Sequence, residues 1–196
     1  MPYVLVTPGD PEKAALSVNM DDEGAAKEMT QYLLSLGHQR IGFIKGHPEH
    51  GASEKRFRGY VSALESAGIP VANNLLRQGY FDWASGLECA ESLLDMADRP
   101  TAVFACNDDM AASVLTAAYR RNIHVPRNLS VVGFDNTPIA SIISPQLTTV
   151  NQPISDLASE AVRMLADTLS PMRQSRKAMM LEHSIIKRES VDKPEQ

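Results

Sequence analysis

Apolar residues recur along this chain in two alternating rhythms. Short unbroken runs stand at residues 40–44 (RIGFI), 101–106 (TAVFAC) and 129–134 (LSVVGF). Between and around them, apolar positions return every three or four residues: Ala25, Met29, Leu33 and Leu36; Phe57, Tyr60, Val61, Leu64 and Ala67; Leu87, Ala90, Leu93, Leu94 and Ala97; Met110, Ala111, Val114, Leu115 and Ala118. The runs read as buried strands and the stripes as amphipathic helices. Acids at the start of the first helix, from Asp22, and Gly37 and Gly68 past the ends of the first two supply start and stop signals. Strands alternating with helices predict βαβ units and a parallel sheet.

The remaining segments are weaker. Residues 3–6, 16–18 and 75–81 are strand candidates, and 147–150 (LTTV) is extended. A short irregular helix is expected from Pro138, and a longer one from Pro153 through Leu157, Ala161, Leu165 and Leu169. Residues 171–177 read as a polar loop, and AMMLEHSIIKRES as two short strands. Residues 22–135 form a clean β/α repeat, whereas the flanks resemble parts of a second, incomplete lobe.

Composition narrows the class. Of 196 residues, 43% are apolar and 22% charged, a globular balance with no apolar run near the ~20 residues of a membrane span. No secretory signal is visible, so a cytoplasmic protein is expected. The net charge of −5 argues against holding a phosphate backbone, and the basic run at 173–177, with Lys187 and Arg188 beyond it, reads as solvated surface. Cys89 and Cys106 have no metal-site spacing and read as buried free thiols.

Candidate chemistry collects after the strands, where ligands of open parallel sheets bind. His47, Glu49 and His50 follow one strand; Asp82 and Trp83 another; Asn107, Asp108 and Asp109 a third; Asp135 and Asn136 a fourth. Each has a plainer reading. Asn107 or Asp108 suits a helix cap, Asp82 a helix start, and Trp83 packing. His47 and His50 lack the His-Glu-x-x-His spacing of a zinc helix. Catalytic elbows, phosphate loops and dinucleotide fingerprints are absent from the sequence. Amide, carboxylate, guanidinium (Arg56) and aromatic groups fit the binding of a polyhydroxylated ligand without its transformation.

The stretches GHQRIGFIKG, KRFRGYVSALESAGI, RPTAVFACNDDMAASVL, VPRNLSVVGFDN with PQLTTVNQP, and the final IIKRES resemble the effector-binding domain of the LacI/GalR family of bacterial transcriptional repressors, over residues 4–190. The resemblance implies a doubly wound α/β fold of the periplasmic-binding-protein-like (type I) kind, mostly the C-terminal lobe with an incomplete N-terminal lobe. It implies residues 1–19 as a remnant of the N-terminal lobe and 20–150 as the C-terminal lobe. Residues 151–178 return into the N-terminal lobe, and 179–196 close the C-terminal lobe. Residues 3–6 and the helix from Ser155 are then expected to lack sheet partners, their apolar faces exposed, swapped with another copy or covered at an interface. It further implies effector contacts from Arg56, Phe81, Asn107 and Asp135. Gln152, Asp21 and His50 are further candidates by the same resemblance.

The expected partners are a small-molecule effector, best a carbohydrate held between two lobes, and a second copy of the chain. The dimer interface is expected around the Met110 helix and residues 137–144. DNA would be read only through a helix-turn-helix that the resemblance places upstream, and no cofactor, metal or membrane is implied. With half the cleft expected to be missing, weak effector binding is expected of this chain. It is not expected to be an enzyme. Two rivals remain at this stage. One is a transporter's solute-binding protein, marked by an export signal upstream; the other is a small α/β enzyme using Asp108 and Asp135 as an acid/base pair.

Overall fold

The computed structural model describes residues 2–7, 16–169 and 178–195. The polar loop expected at 171–177 and its basic run lie outside the described residues. The chain divides into two compact units, one of residues 1–21 and 152–183, the other of residues 22–151 and 184–196.

The larger unit holds a six-stranded sheet. Its strands are β3 (Ile41–Lys45), β4 (Leu76–Gln78), β5 (Ala102–Ala105), β6 (Ser130–Asp135), β7 (Thr148–Asn151) and β9 (Ser184–Ile186), in the order β4-β3-β5-β6-β7-β9. All neighbours are parallel except β7 and β9. The chain leaves β3 in one direction for β4 and returns across it to β5, a topological switch point. Right-handed crossovers then put the helix after β3 on one face and the helices after β4 and β5 on the other. Side chains agree. Phe43 meets Phe57 and Tyr60 of α2 (Gly51–Ser66), while a Cβ on neighbouring Gly42 would lie 3.2 Å from Leu93 of α3 (Trp83–Leu94). Helix α4 (Asp108–Arg120) packs beside α3, and α1 (Asp22–Ser35) beside α2. With both faces covered, β5 is buried along its whole length.

Helix ends follow the chemistry read from the sequence. Gly37 (φ +102°) and Gly68 (φ +71°) follow α1 and α2 in the left-handed region. Asp82 accepts the Ser85 N–H at 2.9 Å as the N-cap of α3. The short helix α5 spans Pro138–Ile142. After β9 the chain is stitched beneath the sheet. Ser190, fully buried, donates to the Val131 carbonyl (2.6 Å) and accepts from the Thr148 N–H (2.9 Å). His38, 1% exposed, bonds Thr101 Oγ1 and the Asp192 carbonyl, and burial pushes its pKa down.

The smaller unit is a three-stranded parallel sheet in the order β1-β2-β8, from Leu5–Val6, Ser17–Met20 and Ala178–Leu181. Helix α6 (Ile154–Thr168) covers it through Leu157 and Met164 against Val18. Two expectations change here. Both C-terminal strands were assigned to the larger unit, but β8 pairs with β2, so only β9 closes the larger sheet. The first strand and last helix were expected without sheet partners, yet β1 pairs with β2 and α6 packs on the sheet. Part of the expected exposure persists, at Val6 (46%) and Val162 (69%).

Candidate functional site

Five parallel strands of the larger unit end at one edge, and the side chains after them converge around Arg56. This residue lies in the second turn of α2 and is 4% exposed. A buried guanidinium requires charge partners and hydrogen bonds. Its Nε donates to Asp22 Oδ1 (2.9 Å), and its Nη1 donates to the Cys106 carbonyl (2.5 Å) and Asp135 Oδ1 (3.4 Å). The Phe134 ring supports the guanidinium face, with Cζ 3.6 Å from the ring centroid. The result is a fixed donor plane with Asp135 as the more open partner, its side chain 22% exposed.

Asp135 ends β6 and is followed by an unusual backbone. Its φ is +110°, and that of Asn136 is +57°. Such values are uncommon outside glycine, although Asp and Asn tolerate them best. Asn136 is held from two sides: Arg188 Nη2 donates to its Oδ1 (2.6 Å), and its Nδ2 donates to Asn151 Oδ1 (2.9 Å).

Phe81 forms the aromatic wall. Its φ of +66° is a true outlier for a bulky residue, a conformation that costs roughly 1–3 kcal/mol and persists where neighbours enforce it. Asn107 enforces it, donating from Nδ2 to the Phe81 carbonyl at 2.9 Å. The ring lies flat on Gly46, where a Cβ would come within 2.0 Å of it. His50 stacks on Phe81 at 5.7 Å, and His47 lies 4.9 Å from His50 and 5.6 Å from Tyr80. No group of three metal-ligating side chains occurs among the described residues.

The structure thus brings together Arg56, Phe81, Asn107, Asp135 and His50 in the larger unit. Asn107 uses its amide on both sides, because its Oδ1 also caps α4 by accepting the Met110 N–H at 3.1 Å. Its direct effect is on Phe81 and the helix. Asp21 and Gln152 belong to the smaller unit. The acid that meets Arg56 is Asp22, the first residue of α1, and Asp21 before it is exposed. The helical phase contains the signal: Asp22 lies one and two turns before buried Ala26 and Met29, whereas Asp21 precedes the helix. Phe134 and Arg188 carry no such signal: one reads as an ordinary strand residue, and the other, read from the sequence as solvated surface, donates to Asn136 and to the Leu147 carbonyl.

Asp108 does not cap α4. It is fully buried, its Oδ1 accepting from Thr149 Oγ1 (2.5 Å) and its Oδ2 from the Thr137 N–H (2.7 Å) and hydroxyl (3.1 Å). Burial pushes its pKa up against these bonds. Sealed from solvent and bonded on both oxygens, it cannot serve as the acid or base of an Asp108/Asp135 pair. The thiols are equally withdrawn, burial raising Cys89 to about 11 and Cys106 to about 12.

Known proteins share this arrangement of elements. The sequence profile of the periplasmic binding protein-like domain matches residues 30–191. Catabolite control protein A of Priestia megaterium is 35% identical over 191 residues, 97% of this chain and 58% of the relative. The HTH-type transcriptional repressor CytR of Escherichia coli K12 is 37% identical over 168 residues, 86% of this chain and 49% of the relative. The chain therefore spans about half the length of these curated relatives. Among solved structures, a transcriptional regulator CelR–cellobiose complex superposes with a TM-score of 0.90 at 34% identity, over 97% of this chain and 59% of that one. A LacI-type regulator of Bacillus cereus subsp. cytotoxis superposes with a TM-score of 0.91 at 31% identity, over 98% of this chain and 69% of that one. The chain belongs to the periplasmic binding protein-like domain family, as an effector-binding domain of the LacI/GalR type.

Proposed function

We propose that this chain is the effector-binding core of a transcriptional regulator and that its larger unit binds a small polyhydroxylated molecule, a carbohydrate, through Asp135, Arg56 and Phe81. The observation that carries the reading is the buried guanidinium, fixed by Asp22, the Cys106 carbonyl and Phe134, with Asp135 beside it and an aromatic wall nearby. A donor plane next to a carboxylate matches vicinal hydroxyls, and a ring face suits the apolar face of a sugar. Asn107 acts by holding Phe81, and exposed His50 adds a polar edge to the same wall. Asp21 and Gln152 enter the proposal on the family resemblance alone. The cellobiose named with one structural neighbour supports the carbohydrate class.

Such a binding event controls DNA only if the ligand favours one arrangement of the protein over another. DNA itself would be bound by a helix-turn-helix of the kind named for the relatives, in the cytoplasm. The reading assigns the chain no reaction of its own and no metal or cofactor. Calorimetric titration with glucose, ribose and cellobiose, with adenine and adenosine alongside, tests the site. The expected result is a weak saccharide response reduced at least tenfold by Asp135→Asn. A response to adenine or adenosine alone would move the ligand class, and silence toward all five would sink the proposal.

Self-association is proposed through α4 and α5, where Tyr119 (83% exposed) and Ile142 (79% exposed) present apolar surface to solvent. Sedimentation should show a dimer that Tyr119→Asp with Ile142→Asp converts to monomer. A monomeric parent at high concentration would refute this interface.

A further inference from the structure

Asp108 is a fully buried carboxylate with no access to ligand, yet all three of its described donors come from segments that lead into or flank the binding edge. Thr137 directly follows Asp135 and Asn136, and Thr149 lies on the adjacent strand β7. β6 makes room for this carboxylate at a single position. A Cβ on Gly133 would come 2.4 Å from Asp108 Oδ1 and 2.8 Å from Leu147 Cδ2. Gly133 lies two residues before Asp135, so the carboxylate is seated against the strand that ends in the binding acid.

This seating explains how two successive non-glycine residues hold positive φ. The free chain would relax Asp135 and Asn136 toward ordinary backbone angles. Asn136 is clamped by Arg188 and Asn151, and Thr137 is clamped by Asp108, so the turn is pinned at its second strained residue and at the residue that follows. A carboxylate accepting three hydrogen bonds, including a backbone N–H, makes a stronger anchor than a neutral amide acceptor. The same anion sits in the first turn of α4, where the helix dipole favours it. Burial opposes ionisation, and the three donors together with the nearby Arg188 charge favour it.

We propose that Asp108 is a positioning residue for the effector site: through Thr137 and Thr149 it holds the Asp135–Asn136 turn so that the Asp135 carboxylate meets Arg56. The inference rests on the reading that this edge binds the effector, but the positioning can be measured without any ligand.

Arginine side-chain NMR supplies that measurement, because the Arg56 guanidinium reports its own carboxylate contacts. Asp108→Asn places an NH2 group or a single acceptor opposite donors that need two carboxylate oxygens. The expected result is a folded protein whose Arg56 side-chain resonances move and whose affinity for the tightest binder among glucose, ribose and cellobiose falls at least tenfold. Thr149→Ser keeps the hydroxyl and is expected to preserve both readouts. Leu93→Ala, which destabilises the core through α3, is expected to leave the Arg56 resonances in place, separating positioning from stability. If Asp108→Asn does not fold, Thr137→Val and Thr149→Val each remove part of the bracket and are expected to move the same resonances. Unmoved Arg56 resonances in a folded Asp108→Asn, or in both threonine variants, would overturn the proposal. If the parent binds none of the three sugars, the effector reading fails and the resonances alone still decide the positioning.

Discussion

Two four-residue strands show how differently the two units use similar sequence. β5 reads AVFA and is buried at every position, while β8 reads AMML and alternates between exposed and half-buried. Their apolarity is alike. The difference lies in what covers them: β5 is central in a sheet with helices on both faces, and β8 is an edge strand of a three-stranded sheet whose apolar core is the cluster of Val18, Leu157 and Met164. An apolar run therefore reports the capacity to be buried, and the number of covering layers decides whether that capacity is used.

The sharpest way to break this comparison is truncation at both places. Phe104→Ala in β5 removes a fully buried ring that meets Phe43 edge-on at 5.3 Å, and is expected to cost about 3–5 kcal/mol in urea denaturation. A loss below about 1 kcal/mol would mean that the central core repacks freely.

Next in size is Gly59→Ala in α2. In an open helix this exchange would stabilise by roughly 1 kcal/mol. Here a Cβ would lie 2.2 Å from the Glu23 carbonyl oxygen and 2.8 Å from the Lys27 nitrogen, so α1 and α2 must separate. Overpacking outweighs propensity, and a net loss of about 1–3 kcal/mol is expected; stabilisation would show that the helix pair yields.

His38 gives a pH-dependent test of the same core. Its folded pKa lies below the ordinary 6.5, so on acidification the unfolded chain takes up a proton first. Stability is expected to fall as pH drops from 6.5 through the depressed folded value, with a slope of up to ~1.4 kcal/mol per pH unit from this group. Urea midpoints between pH 7.5 and 5 should show that slope, and His38→Gln should flatten it. An unchanged slope in the variant would assign it to other groups.

The smallest effect is expected in the smaller unit. Met180→Ala in β8 removes a side chain that is 60% exposed and should change stability by less than ~0.5 kcal/mol. A cost near that of Phe104→Ala would show that something covers this face in solution.

Much of the larger unit was legible because its signals are local. The stripes of α1 to α4, the glycine stops and the strand runs each lie within one window, and the alternation leaves few topologies. The site was legible only as a set of strand ends. Which of two neighbouring acids is buried was decided at Asp22 by helix phase and at Asp108 by the donors that surround it. Asn107 took the cap that either residue could have taken.

By itself, the sequence determined the β/α alternation and the edge where polar groups collect, since these follow from periodicity and from the direction of parallel strands; the place of Arg56 among them came from the family resemblance. Tertiary structure alone decided the pairing of β8 with β2, the positive φ of Phe81 and Asp135, and the partners of Arg56. Those features depend on residues tens of positions apart meeting in space, and on neighbours that make an otherwise costly backbone angle the lowest in energy.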